Sequence, residues 1–148
     1  MLNYQPKIYQ QEVLASVEAY FRTCYELPNP RLAFYAVTEK LWSQGLAYNP
    51  IAGFPADMPY FCLRVPTGGG KTWLAAKSVS VVNTHLLRGE HSVILWLVPS
   101  NAIREQTIKA LRDRSHPCHA ALREAGTVTV LDLTEAKNIT RATLETYT

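Results

Sequence analysis

The sequence predicts an α/β domain built on a parallel sheet, and three observations predict it. Short apolar runs rich in branched and aromatic residues occur at 60–65, 92–98 and 127–131. Stretches of helical periodicity separate these runs. A cluster of glycines followed by lysine and threonine stands between the first run and the helical stretch after it. Strands that are apolar on both faces and alternate with helices form parallel sheets covered by helices.

The elements follow in order. Val13, Leu14, Val17, Tyr20, Phe21 and Cys24 recur at three- and four-residue steps, which predicts an amphipathic helix from Tyr9 to Cys24. Pro28 and Pro30 stop it. A second helix carries Leu32, Tyr35, Leu41 and Trp42, and 48–59, with Pro50, Gly53, Pro55 and Pro59, reads as a surface loop. The strand at 60–65 runs into the glycine cluster. A helix then extends from Lys71 to about Arg88, closed by Gly89. After the strand at 92–98, Pro99-Ser100-Asn101 opens another helix. A further helix at 115–125 ends at Gly126, and the third strand follows at 127–131. Asn138 to Tyr147 begins a last helix with Thr140 as its cap. Three strands leave sheet edges exposed, so the sequence reads as the first part of something longer. Its organisation is an N-terminal helical segment, 1–58, ahead of the first part of a nucleotide-binding domain, 59–148.

Composition sets the class. The chain has 148 residues, 47% hydrophobic and 18% charged, which suits a globular domain with a core rather than a disordered tail. The longest apolar run, Val93 to Val98, is far short of a membrane span. The first residues show no secretory pattern. Three widely spaced cysteines, Cys24, Cys62 and Cys118, argue against a disulfide framework and for a reducing, cytoplasmic setting. The net charge of +3 permits nucleic-acid binding without demonstrating it.

The segment Pro66-Thr67-Gly68-Gly69-Gly70-Lys71-Thr72 carries the chemistry. A loop that wraps phosphates needs successive backbone N–H groups turned inward, in conformations glycine tolerates best. A helix that starts directly after the loop adds its free N–H groups and positive dipole end. Lys71 supplies a point charge for the β- and γ-phosphates, and the Thr72 hydroxyl can ligate Mg²⁺. The bland alternative is a flexible glycine loop with an incidental lysine. The general phosphate-loop pattern expects glycine at 65, where this chain has Val65.

A loop of this form without glycine at its head resembles motif I of superfamily 2 helicases. Upstream, Ile8-Tyr9-Gln10-Gln11-Glu12 looks like the glutamine motif that recognises adenine in that family. Downstream, Leu97-Val98-Pro99-Ser100-Asn101-Ala102-Ile103-Arg104-Glu105-Gln106 resembles motif Ia, which touches the nucleic-acid backbone. The similarity is nearest in style to DEAD/DEAH-box proteins of restriction systems, such as the R subunit of type III restriction enzymes. It implies a RecA-like phosphate-loop NTPase domain, incomplete here, whose cofactors are ATP and Mg²⁺. It also implies a hydrolase that moves along nucleic acid, DNA rather than RNA, with the remaining motor region of the parent protein as a partner and no membrane. Gln10, Thr67, Gly68, Gly69, Gly70, Lys71 and Thr72 would bind the nucleotide, with Lys71 and Thr72 catalytic and Thr72 on the metal. Ser100, Arg104 and Gln106 would meet nucleic acid. The family's Asp-Glu pair, which holds magnesium, has no counterpart, because no Asp-Glu dipeptide occurs in this chain. Binding without efficient turnover is therefore the expectation for the chain alone.

Other readings stand beside these. Tyr9 could stack on the base or pack the start of its helix. Ser100 or Asn101 could simply cap the following helix. The run His116-Pro117-Cys118-His119 invites zinc, but no second cluster completes four ligands. Trp42, Trp73 and Trp96 read as core or near-core aromatics. A small-molecule kinase is a rival function, although such kinases carry the loop close to the N-terminus and need lid arginines later. A non-catalytic nucleotide and nucleic-acid binding module is the other rival.

Overall fold

The computed structural model describes residues 4–27, 29–89 and 92–140. Its helices are α1 (Ile8–Glu26), α2 (Pro30–Trp42), α3 (Lys71–Val82), α4 (Asn101–Arg112), α5 (Pro117–Arg123) and a single turn, α6 (Leu133–Ala136). The helix expected from Lys71 to about Arg88 is α3 followed by one π-helical turn, Asn83–Leu87. Arg88 ends it in the left-handed conformation, φ 48°, one residue before the glycine expected to do so. Pro30 stands at the start of α2, where its missing N–H costs nothing and its fixed φ suits a helix. Asn29 caps that helix by accepting from the Leu32 N–H at 3.3 Å. Pro28, His91 and residues 141–147 of the expected last helix lie outside the described residues.

The sheet is not there. Among the described residues no strand forms, and the runs at 60–65, 92–98 and 127–131 have no regular secondary structure and no ladder partners. Their side chains explain what they do instead. Val65, Trp96, Val128 and Val130 pack onto the core between α3 and α5. On the run at 92–98 the alternate residues Val93, Leu95 and Leu97 are 95, 81 and 79% exposed. Parallel strands need helices on both faces and a bonded neighbour; here helices cover one face only. Apolarity on both faces describes what such a run would bury, and carries no partner to bury it against.

Two apolar clusters hold the helices together. One gathers Trp73, Leu74, Ala76 and Val79 of α3 with Leu111 of α4 and Cys118, Ala121 and Leu122 of α5. The other gathers Val17, Tyr20, Phe21 and Cys24 of α1 with Ala33 of α2. Val13 packs against both, so α1 ties the N-terminal helices to α3. Leu74 and Val17 are almost fully buried, and each such side chain stabilises the fold by about 1.5–3 kcal/mol. Trp73 is buried and Trp96 partly so, but Trp42 is 61% exposed at the end of α2, contrary to its core reading. No helix among the described residues is long and apolar enough to cross a membrane.

Candidate functional site

The glycine loop sits at the N-terminus of α3, where the sequence places it, with α1 against its outer side. Val65 ends the preceding run and turns into the α3–α5 core. The chain then turns tightly, the Gly69 N–H donating to the Pro66 carbonyl at 3.0 Å. That closure leaves no room for a side chain at 69, since a Cβ there would lie 2.6 Å from Val65 Cγ1 and 2.9 Å from the Pro66 oxygen. An apolar residue at the head of the loop is thus accommodated by using it as a core anchor. Gly70 has φ 78°, and a Cβ on it would lie 2.5 Å from Gln10 Nε2.

What the loop offers is a set of free donors. The N–H groups of Gly70, Lys71, Thr72 and Trp73 bond to no group among the described residues, while the Leu74 N–H closes the first helical bond on the Gly70 carbonyl at 2.9 Å. Free N–H groups at a helix start, on a left-handed glycine, form an anion cradle. Lys71 is exposed, and its ammonium donates to the carbonyls of Pro66 at 3.2 Å and Val65 at 3.5 Å. The Thr72 hydroxyl is half-buried and makes no hydrogen bond among the described residues. The donor set suits a polyphosphate: N–H groups, one mobile cation and one hydroxyl. Thr67 and Gly68 are exposed at the outer turn.

Gln10 arrives from α1 and is only 1% exposed. Its Nε2 donates to the Gly69 carbonyl at 3.2 Å, and its Oε1 accepts from the Lys7 N–H at 2.9 Å and the Tyr4 hydroxyl at 3.0 Å. The amide expected to read adenine is therefore spent on the loop and on the start of its own helix. Tyr9 does not stand as a stacking platform; its hydroxyl donates to the same Gly69 carbonyl at 2.7 Å. Tyr4, which sequence reasoning passed over, joins this group and also packs its ring on Trp73 at 4.7 Å between centroids. No local pattern reveals these contacts, because they join residues about sixty positions apart.

The nucleic-acid candidates lie at the start of α4. The Ser100 hydroxyl accepts from the Ile103 N–H at 3.3 Å and so caps the helix. Arg104 is exposed one turn on. The Asp132 carboxyl nearby is held low, against the opposing pull of desolvation, chiefly by the backbone N–H of Glu135, then by that of Thr134 and the charges of Arg112 and Arg104. Gln106 is exposed too, yet two residues along a helix is about 200° of rotation, so it does not share a face with Arg104. The histidines near Cys118 have structural work: His116 Nδ1 accepts from the Cys118 N–H at 3.1 Å, and His119 Nδ1 meets the Leu111 carbonyl at 2.7 Å. Cys118 and Cys24 are buried, and burial pushes both thiols up.

A family model for the type III restriction enzyme res subunit matches residues 3–147. No curated protein and no solved structure matches the chain. That match takes in the glycine loop, the α1 residues that grip it and the start of α4. The chain belongs to the family of type III restriction enzyme res subunits, and it carries the helicase-like, ATP-binding domain of that family.

Proposed function

We propose that this chain binds Mg-ATP through residues 67–72, in a protein that couples ATP hydrolysis to movement along DNA in restriction. The single observation that carries the reading is the cradle itself: four free N–H groups on a left-handed glycine and a helix start, with Lys71 and Thr72 beside them. Gly70, Lys71 and Thr72 bind phosphate oxygens, with Thr67 and Gly68 at the outer turn beside them, while Gly69 shapes the loop, its N–H held by the Pro66 carbonyl and its carbonyl by α1. The Lys71 ammonium exchanges the weak carbonyl bonds of its own loop for the stronger charge-assisted bonds of a phosphate. Thr72 Oγ1 would hold the magnesium ion. Gln10 serves the site by its grip on the Gly69 carbonyl. Bound ATP supplies the phosphoanhydride whose cleavage drives movement.

Arg104 is proposed as the principal phosphate contact to DNA at the start of α4, with Ser100 holding that helix start as its cap and Gln106, on another face, left out of the contact. We assign 1–58 to holding the loop from outside and 59–148 to presenting it. The chain by itself binds nucleotide with little turnover, because hydrolysis needs charge stabilisation that a loop alone does not supply and no Asp-Glu pair accompanies it. That same absence favours a second reading, a non-catalytic nucleotide-binding module. Phosphate release stimulated by DNA would remove the second reading.

Thermal unfolding with and without Mg-ATP, for wild type and Lys71→Ala, tests the first. Ligand at about 100 times its dissociation constant stabilises the fold by about 2.7 kcal/mol, a shift of several degrees at this size. Wild type is expected to shift and Lys71→Ala not to. A cooperative transition that does not move in wild type ends the proposal.

A further inference from the structure

Two donors converge on one carbonyl at the heart of the loop. Gly69 O accepts from Tyr9 Oη at 2.7 Å and from Gln10 Nε2 at 3.2 Å. A carbonyl oxygen has two lone pairs, so α1 satisfies this one from outside. In a trans peptide the C=O and the following N–H point in opposite directions, and the chain has no cis bond among its described residues. The carbonyl of Gly69 turned toward α1 therefore fixes the Gly70 N–H away from α1.

The peptide between two glycines is the one a chain can most easily turn over, since neither residue has a Cβ to oppose rotation. Turned over, it would present an oxygen to the cradle in place of an N–H, and a phosphate would meet a negative dipole where it needs a donor. We propose that the Tyr9 hydroxyl is a positioning group for phosphate binding, which latches the Gly69–Gly70 peptide with its donor facing the ligand. The inference rests on the nucleotide-binding reading above and deepens it. Tyr9 acts through the loop backbone and touches no ligand. Of the two bonds, the hydroxyl's is the shorter, and Gln10 is itself held by Lys7 and Tyr4. Tyr4 is one step further out, because it reaches Gly69 only through Gln10.

The test is calorimetric titration of the full chain with Mg-ATP and, separately, with Mg-tripolyphosphate, for wild type, Lys71→Ala, Tyr9→Phe and Tyr4→Phe. Tyr9→Phe is expected to weaken both ligands by the same factor, about five-fold, the worth of one hydrogen bond. Its melting temperature without ligand falls by no more than the few degrees that one hydrogen bond is worth. Tyr4→Phe binds within about two-fold of wild type, since the Lys7 N–H still holds Gln10 Oε1. Equal weakening in Tyr4→Phe and Tyr9→Phe would make the effect one of packing and overturn the latch. Binding that is lost in Lys71→Ala and intact in Tyr9→Phe overturns the latch alone. Wild type that binds neither ligand overturns both the latch and the reading beneath it.

Discussion

Gly70 carries two constraints at once, a left-handed φ and the close approach of the Gln10 amide. An L-residue pays about 1–2 kcal/mol for that backbone region alone, and a Cβ 2.5 Å from Nε2 would also push Gln10 off the Gly69 carbonyl. Gly70→Ala is therefore expected to lower stability by at least ~1 kcal/mol and to abolish Mg-ATP binding. Urea unfolding and titration calorimetry check the two effects separately, and an alanine variant that still bound Mg-ATP would show that the cradle does not depend on this backbone. The identity of the loop was legible residue by residue, because glycine, lysine and hydroxyl answer local chemical needs. The work of Gln10 and Tyr9 was not, because side chains that could meet a base equally well meet a carbonyl some sixty residues away.

At the scale of elements, α4 separates two roles that sequence reasoning left together. Ser100 is its cap, and removing a serine cap costs about 0.5–2 kcal/mol. Arg104 is exposed on the helix surface, where substitutions stay within about 0.5 kcal/mol. Ser100→Ala should thus lower thermal stability and leave DNA affinity nearly unchanged. Arg104→Ala should leave stability alone and weaken DNA binding, with a shallower dependence on salt. Filter binding across a salt series, beside thermal melts, decides it; an Arg104→Ala protein that binds DNA like wild type would remove this helix from the interface. Helices were readable because an amphipathic pattern and its caps are local: α1, α2, α4 and α5 lie where periodicity, proline and serine put them. The end of α3 was less so, since the π turn and the left-handed Arg88 give no signal in composition.

For the whole molecule, the consequence of a ladder that does not form among the described residues is an apolar strip, Val93, Leu95 and Leu97, facing solvent. Unpaired backbone with exposed branched side chains promotes self-association. Leu95→Lys is expected to reduce light scattering at high protein concentration and to leave the melting temperature nearly unchanged, since that side chain is 81% exposed. A marked fall in melting temperature instead would mean the run is buried in solution. The sequence by itself determined the glycine loop at a helix start and the helices, because each rests on residues close together in the chain, and its order of motifs along the chain showed the kinship with res subunits. Only the tertiary structure decided that the apolar runs stay unpaired among the described residues, that α1 grips the loop from outside and that Gln10 is committed to it. Those outcomes depend on which distant surfaces meet, and a pattern of apolar residues states the need for a partner without naming one.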